Sequence, residues 1–320
     1  MDMRLAVAQP LPVPAPGGFA SDLLTGLGKS PKEISCKYFY DREGSRLFEA
    51  ICALPEYYQT RTETALLAAH AGEIAALIGP DAEIVEFGAG SSRKVRILLD
   101  ALRNPRAYTP VDISGDYLRE VARALAADYP ALRLRPLAAD FTLPMAIPPV
   151  AGAARRAGFF PGSTIGNFRP DAATALLRRM RACLGGGGLL VGVDLVKAPA
   201  RLHEAYNDAA GITASFNKNL LARANRELGA DFDLENFAHY APYNAAAHRI
   251  EMYLVSLRRQ SVRLAGRRFD FAEGEPVHTE DSHKYTIEGF REMAVRAGFL
   301  PRAVWCDPDR LFSVHWLESA

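Results

Sequence analysis

Short apolar runs alternate with amphipathic stretches through the middle of the chain. Residues 82–87 and 107–112 are apolar and predict buried strands, whereas residues 93–103 and 115–127 have the spacing of helices. The alternation continues to a predicted strand at 189–194. A regular succession of strands and helices predicts a mostly parallel sheet with helices on both faces, which is the α/β fold class.

Before this segment the pattern is less regular. Residues 1–35 are rich in proline and glycine and predict an arm followed by a short helix. Residues 60–78 predict a helix, with Thr60 and Glu63 as a capping box at its beginning and Gly79 just after its end.

After residue 196 the pattern changes again. Residues 197–245 have helical spacing with no predicted strand between the helices, and residues 249–257 alternate as a half-buried strand. We interpret residues 197–284 as a cap inserted over the sheet. The chain then returns to the sheet with a helix and two strands, predicted near 287–297, 303–305 and 312–317.

The composition argues against several kinds of partner. The 320 residues carry a formal net charge of +1, which provides no long-range field for nucleic acid or an anionic membrane. The apolar stretch 5–13 is short and is interrupted by Pro10 and Pro12, unlike a signal sequence or a membrane span. We therefore expect a cytoplasmic protein. No coiled-coil seam is visible, so we also expect a monomer.

Metal and disulfide chemistry are not indicated either. The four cysteines are scattered without a C-x-x-C pair, and the seven histidines show no ligand spacing. We therefore expect isolated thiols in a reducing compartment and no metal site.

A glycine-rich turn is the first candidate for a ligand site. The run Val-Glu-Phe-Gly-Ala-Gly-Ser-Ser at 85–92 joins a predicted strand to a predicted helix, where bare backbone can approach a ligand. Arg93 stands where a dinucleotide fingerprint has a third small residue, which argues against a nicotinamide oxidoreductase. Asp112 ends the next strand and is placed to accept hydrogen bonds from ribose hydroxyls. This combination favours S-adenosylmethionine over NAD.

Further candidates lie at strand ends and in an aromatic segment. Asp140 and Phe141 follow a predicted strand, where they suit the amino group and the face of an adenine, although an ordinary loop acid beside a core phenylalanine explains them as well. Asn167 lies in a loop at another strand end, and its amide offers both donors and an acceptor. Tyr40 and Tyr57 combine apolar area with a polar tip, which suits the wall of a small polar pocket, although core packing explains them equally well.

Taken together, several strings resemble the histidine Nα-methyltransferases of ergothioneine biosynthesis, within the class I S-adenosylmethionine-dependent fold. The similarity spans about residues 37–317, and departs from the expected pattern at Phe87 and Ala89 in the glycine turn. The matching strings lie at 39–41, 54–58, 162–167, 194–197, 205–206, 230–233, 249–252 and 279–285.

The resemblance implies a role for each matching position. The positions that would hold S-adenosylmethionine are Gly88, Lys94, Asp112, Asp140 and Phe141. Those that would hold the amino acid are Tyr57, Asn167 and Tyr206 at its carboxylate, Tyr40 and the Gly162 backbone at its amine, and Met252, Glu280 and Ser282 at its imidazole. By periodicity alone Met252 is plain core, and Glu280 belongs to a charged string typical of a solvated loop.

The resemblance also assigns the domains and the reaction. Residues 60–196 and 285–320 would form the methyltransferase core, and residues 1–59 and 197–284 the substrate-binding part. The reaction would be threefold methylation of the histidine α-nitrogen, and no residue is an obvious general base. An enzyme methylating the amine of another amino acid, such as a tryptophan derivative, is the alternative. A catalytically inactive module that senses cofactor or histidine is a third possibility.

Overall fold

The computed structural model describes residues 18–90 and 92–320, without the side chains of Asp116 and Tyr117. The predicted arm at the beginning of the chain lies outside the described residues. In chain order the helices are α1 (Gly18–Leu27), α2 (Arg42–Cys52), α3 (Tyr58–Ala69), α4 (Ala71–Ile78), α5 (Arg93–Ala101), α6 (Gly115–Asp128), α7 (Pro170–Leu184), α8 (Pro199–Tyr206), α9 (Ile212–Leu228) and α10 (Ile287–Arg296).

The strands are short in the middle of the chain and longest near its end. In chain order they are β1 (Lys32–Glu33), β2 (Ala82–Phe87), β3 (Ala107–Asp112), β4 (Arg133–Leu134), β5 (Leu137–Ala138), β6 (Arg155–Phe160), β7 (Gly188–Asp194), β8 (Phe237–Tyr240), β9 (Tyr243–Asn244), β10 (Arg249–Ser256), β11 (Gln260–Leu264), β12 (Arg267–Phe271), β13 (Pro276–His283), β14 (Phe299–Cys306) and β15 (Phe312–Ser319).

The described residues form two compact units. The first unit comprises Gln59–Leu195 and Tyr285–Ala320, and the second comprises residues 18–58 and Val196–Lys284.

The first unit is built on one sheet with the order β14-β15-β7-β6-β2-β3-β4. Strands β7, β6, β2, β3 and β4 run parallel, whereas β15 is antiparallel to β7 and to β14. Strands β4 and β5 both pair with β3, so the single strand predicted near 132–137 is divided in two. Eight strands therefore occupy seven positions. The predicted α/β class with a mostly parallel sheet is confirmed.

Both faces of this sheet are buried. Ile84 packs in one apolar core with Leu98, whereas its neighbour Val85 packs in the other with Leu177 and Phe290. Successive side chains of a strand point to opposite faces, so helices must cover both sides. The apolar run at 82–87 is thus explained by burial on both faces.

The second unit contains an antiparallel sheet with a helix packed beside it. The strand order is β1-β13-β10-β8, with β9 also paired to β10, and only the short β1 runs parallel to its neighbour. The absence of strands from 197–245 was predicted wrongly, because β8 and β9 lie there. Both strands are short and both pair with β10, so they depend on tertiary pairing that the local sequence pattern does not reveal.

The predicted helix at 60–78 is two helices, α3 and α4, separated at His70. Helix α3 begins at Tyr58, so the proposed capping box at its start is wrong: Glu63 lies inside the helix and has other partners, described below. Within residues 18–90 and 92–320, no helix combines the length and apolar composition needed to cross a membrane. The same residues hold no group of three or more His, Cys, Asp or Glu placed to bind a metal ion.

Candidate functional site

The glycine turn of the first unit brings bare backbone beside an aromatic ring. Gly88 follows β2 with φ +74°, a left-handed conformation that favours glycine. The N–H groups of Gly88 and Ala89 both donate to the carbonyl of Val111, at 2.9 and 3.1 Å. A Cβ on Gly88 would lie 3.4 Å from the ring of Phe141. The turn is therefore fixed to the end of β3 and close to a second strand-end residue.

Two carboxylates lie at the same edge of the sheet. Asp112 ends β3 and is paired in register with Ala138, two residues before Asp140. Asp112 accepts a hydrogen bond from the N–H of Ser114 at 2.8 Å through one oxygen. Asp140 likewise uses one oxygen, which accepts from the N–H and hydroxyl of Thr142 at 2.9 and 2.5 Å. Backbone N–H groups thus hold both carboxylates at the ends of their strands, and burial raises the pKa of Asp112.

These residues fit S-adenosylmethionine. The bare Cα of Gly88 lies beside the ring of Phe141, which itself packs edge-on to Phe160 at 5.7 Å between centroids. Asp112 can accept from ribose hydroxyls and Asp140 from an adenine amino group, since both are acceptors at strand carboxyl ends.

Lys94 and Gly162 are joined through a third residue. The ammonium of Lys94 is ion-paired with the buried carboxylate of Glu63. The N–H of Gly162 donates to the two oxygens of the same carboxylate at 3.0 and 2.9 Å. A Cβ on Gly192 would lie 1.9 Å from Glu63 Oε1, so the carboxylate rests on a bare stretch of β7.

Hydrogen bonds hold the loop after β6 just before Asn167. Ser163 has φ +55°, and its hydroxyl accepts the N–H of Asp194 at 2.9 Å. A short 3-10 helix, Thr164–Asn167, follows and leaves Asn167 half-buried at its end.

In the second unit the predicted tyrosines form one aromatic cluster. The ring of Phe48 lies 5.6 Å from that of Tyr40 and 6.2 Å from that of Tyr57. The ring of Tyr57 lies 6.4 Å from that of Tyr206. Burial, with the nearby Tyr206, Tyr40 and Glu280, raises the pKa of Tyr57 well above its usual range. Its hydroxyl therefore stays neutral and able to donate.

The predicted imidazole-binding residues share one face of the antiparallel sheet. Met252 of β10 is the register partner of Glu280 of β13, and Ser282 lies two residues further along β13. All three are buried. Residues two apart on a strand point to the same face, so Glu280 and Ser282 face the same side.

Glu280 is a buried carboxyl rather than part of a solvated loop. Burial raises its pKa to about 7, while the charges of Lys284 and His278 partly oppose that shift. Its neighbour Asp281 is bound by His278 at 3.0 Å and by Arg249 at 3.3 Å. The charged string is therefore buried, with Asp281 paired to His278 and Arg249, and periodicity does not reveal these pairings.

The comparison with known proteins decides the family. A family model described as "Histidine-specific methyltransferase, SAM-dependent" matches residues 19–319. The chain belongs to this family. The resemblance drawn from the sequence strings is therefore confirmed, and so is the dependence of the family on S-adenosylmethionine.

Three relatives place the chain within the family. It is 43% identical to a "Histidine N-alpha-methyltransferase" of Mycolicibacterium smegmatis over 90% of each chain. It is 41% identical to a protein of the same name from Mycobacterium tuberculosis, over 95% of this chain and 96% of that one. It is 35% identical to "Ergothioneine biosynthesis protein 1" of Neurospora crassa, over 62% of this chain and 23% of that protein.

The predicted site residues of this family member fall into two groups. The first unit brings together those near the ends of its parallel strands: Gly88, Lys94, Asp112, Asp140, Phe141, Gly162 and Asn167. The second unit brings together Tyr40, Tyr57, Tyr206, Met252, Glu280 and Ser282. The roles of these residues stay predictions.

Sequence reasoning missed two buried acids that lie beside the first group, Glu63 and Glu86. Glu63 was taken for a capping residue, although it binds Lys94 and Gly162. Glu86 is a buried carboxyl just before Gly88; burial raises its pKa to about 8, and the hydroxyl of Tyr108 donates to it. An acid inside an apolar strand was the available signal for Glu86, whereas Glu63 had none.

Proposed function

We propose that the protein transfers methyl groups from S-adenosylmethionine to the α-amino nitrogen of L-histidine, three times, to give N,N,N-trimethyl-histidine (hercynine). This is the first step of ergothioneine biosynthesis. Two relatives that match nine tenths or more of the chain carry the name of this activity. The structural observation that carries the proposal is the buried carboxyl of Glu280 opposite Met252, which can accept a hydrogen bond from an imidazole N–H.

The chain binds and orients the two reactants. S-adenosylmethionine supplies a methyl group that its sulfonium already activates. Asp112 and Asp140 hold the ribose and adenine in this proposal, and Phe141 covers the adenine. Because the methyl group is activated, alignment of nitrogen and methyl is the main task, and orientation can supply about 7–11 kcal/mol of barrier reduction.

The amino acid is held by groups of matching polarity. Tyr57, Tyr206 and Asn167 donate to its carboxylate, and the raised pKa of Tyr57 keeps that hydroxyl protonated. Tyr40 and the Gly162 backbone orient the amine, which must be unprotonated to have a lone pair. We assign no side chain as general base, so water takes the proton.

Selectivity comes from the imidazole partners. A substrate without a ring N–H leaves the buried Glu280 without its partner, which costs several kcal/mol. The alternative, methylation of a tryptophan derivative, gives Glu280 and Ser282 together only one ring nitrogen to bind.

Steady-state assays with histidine and with tryptophan as single substrates test the proposal. We expect kcat/KM for histidine to exceed that for tryptophan by at least about 100-fold, as sites built to bind a polar group discriminate strongly. Equal values, or a preference for tryptophan, would overturn the histidine assignment and leave the methyltransferase family assignment unchanged.

The proposal includes a cytoplasmic monomer. Free histidine and S-adenosylmethionine are both cytoplasmic metabolites, which supports that location. Light scattering should give a mass near 34.9 kDa. A mass near twice that value would contradict the monomer, and enzyme activity confined to a membrane fraction would contradict the location.

A further inference from the structure

One side of helix α9 holds the segment 38–41, which carries Tyr40. Side chains at helical spacing along α9 contact this segment or the ring of Tyr40: Phe216, Asn219, Arg223 and Arg226. The ring of Phe216 lies 5.8 Å from that of Tyr40, and the guanidinium of Arg223 donates to the carbonyl of Tyr38 at 2.9 Å. The segment is therefore attached to one stripe of the helix.

The carboxylate of Asp41 is the centre of this attachment. Its Oδ1 accepts from the N–H of Gly44 at 2.7 Å and from the amide of Asn219 at 2.8 Å. The bond from Gly44 caps the first turn of α2. Its Oδ2 is paired with Arg226, which is 51% exposed, whereas the side chain of Asp41 is 10% exposed. The two bonds to Oδ1 thus join the chain beside Tyr40 to α2 and to α9.

Both of these helices also pack on the ring of Tyr40. Phe48 of α2 lies 5.6 Å from it, and Phe216 of α9 lies 5.8 Å from it. The rings of Phe48 and Phe216 are themselves 5.9 Å apart. The aromatic wall around Tyr40 therefore belongs to the two helices that Asp41 joins.

We infer that Asp41 is a positioning residue, which places the hydroxyl of Tyr40 at the substrate amine through the bonds of its Oδ1 to α2 and α9. This inference rests on the proposed function, in which Tyr40 orients the amine. Methyl transfer needs the nitrogen aligned with the methyl group, so a displaced Tyr40 should lower kcat more than it raises KM. Asp41 acts through Tyr40 and touches neither reactant.

Asp41→Ala removes all three bonds of the carboxylate. We expect kcat for histidine to fall by at least about tenfold while KM changes by less than about threefold. Asp233→Ala is the matched control in the same unit, because Asp233 makes the same three kinds of bond. It caps a short 3-10 helix at the N–H of Glu235, accepts from the amide of Asn236 at 2.6 Å and pairs with Arg258 at 3.9 Å. Equal effects in the two variants would overturn the inference.

Asp41→Asn separates the buried bonds from the exposed ion pair. Asparagine keeps one side-chain oxygen, which can accept from Gly44 and Asn219 as Oδ1 does, and it loses only the charge opposite Arg226. We expect kcat to stay within about threefold of that of the unmodified protein, since exposed ion pairs contribute little. A loss as large as that in Asp41→Ala would contradict the role given to Oδ1.

A double-mutant cycle tests whether Asp41 acts through Tyr40. Tyr40→Phe removes the hydroxyl and keeps the ring. In that background Asp41→Ala should lower kcat by less than about threefold, because the group that it positions is already absent. Fully multiplicative losses would contradict the inference. If Asp41→Ala does not fold, Asn219→Ala takes its place in the cycle with the same expectation, since it removes only the bond between α9 and Oδ1.

A fluorine label reports the placement of Tyr40 without any substrate. With 3-fluorotyrosine at position 40, Asp41→Ala should shift or split the fluorine NMR resonance of the ligand-free protein, and Asp233→Ala should leave it in place. An unmoved resonance in Asp41→Ala would overturn the inference. Failure of the unmodified protein to methylate histidine would instead contradict the proposed function, and the resonance would still decide whether Asp41 places Tyr40.

Discussion

The backbone N–H of Gly162 donates to both carboxylate oxygens of Glu63, at 3.0 and 2.9 Å. Glu63 is only 1% exposed, and the Lys94 ammonium is its ion-pair partner. A residue assigned to the substrate amine and one assigned to the cofactor therefore share one buried carboxylate. The position of the Gly162 loop depends on a charge that must be compensated.

Removal of the Lys94 ammonium should destabilise the folded protein. Lys94→Met leaves Glu63 buried without its ion-pair partner, and we expect the free energy of unfolding to fall by about 3–5 kcal/mol. Urea denaturation measures this. Lys29→Met, which removes an exposed lysine, should change stability by less than about 0.5 kcal/mol. The double variant Glu63→Gln, Lys94→Met should recover part of the loss, and an equal loss in Lys94→Met and Lys29→Met would contradict the role given to the pair.

Substitution of Asp112 should weaken the binding of S-adenosylmethionine. In Asp112→Asn one acceptor oxygen becomes a donor, so we expect S-adenosylmethionine to bind about 10- to 100-fold more weakly, the range for hydrogen bonds to charged groups. Calorimetry with the cofactor alone measures this. Asp100→Asn is the control, since Asp100 is an exposed acceptor for Tyr129 in the same unit. Equal affinity in the two variants would remove Asp112 from the cofactor site.

The fold of this region was largely predictable, whereas part of the site was not. Strands 82–87 and 107–112 matched β2 and β3 because burial on both faces leaves a continuous apolar run. Glu63 was misread because a capping box is a local pattern, and its true partner Gly162 lies 99 residues away. Glu280 was misread for a related reason: its strand is polar on both faces.

Glu280 should make the stability of the ligand-free protein depend on pH. Its pKa is about 7 in the folded protein against an ordinary value of 4.5, so the unfolded chain loses its proton first as pH rises. Stability is therefore lost between about pH 4.5 and 7, by on the order of 1–3 kcal/mol.

Glu280→Gln removes this titration. We compare the free energies of unfolding of the variant and the unmodified protein. Below pH 4.5 the difference between them should not depend on pH. As pH rises from 4.5 to 7 the difference should shift in favour of the variant, and it should keep that shift above pH 7. Urea denaturation at pH 4, 6 and 8 measures the difference. Glu235→Gln changes an exposed glutamate of the same unit and should show no such trend. A pH-independent difference for Glu280→Gln would show that the pKa of Glu280 is the same in the folded and the unfolded chain, and would contradict the prediction.

Substitution of Glu280 should weaken the use of histidine much more than the binding of S-adenosylmethionine. Glu280→Ala removes the acceptor for the imidazole N–H, so KM for histidine should rise by at least about tenfold while the Kd of S-adenosylmethionine changes by less than about threefold. Glu235→Ala is the matched control and should change neither. Parallel losses of histidine use and cofactor affinity in Glu280→Ala would contradict the assignment of Glu280 to the imidazole.

The central claim is that this chain trimethylates the α-nitrogen of histidine. Mass spectrometry of the purified protein with S-adenosylmethionine and an equal mixture of the twenty amino acids tests it most directly. We predict that histidine alone gains the mass of three methyl groups, with the label on the α-nitrogen in the fragment spectrum. Methylation of a different amino acid, or no methylation of histidine, would contradict the account.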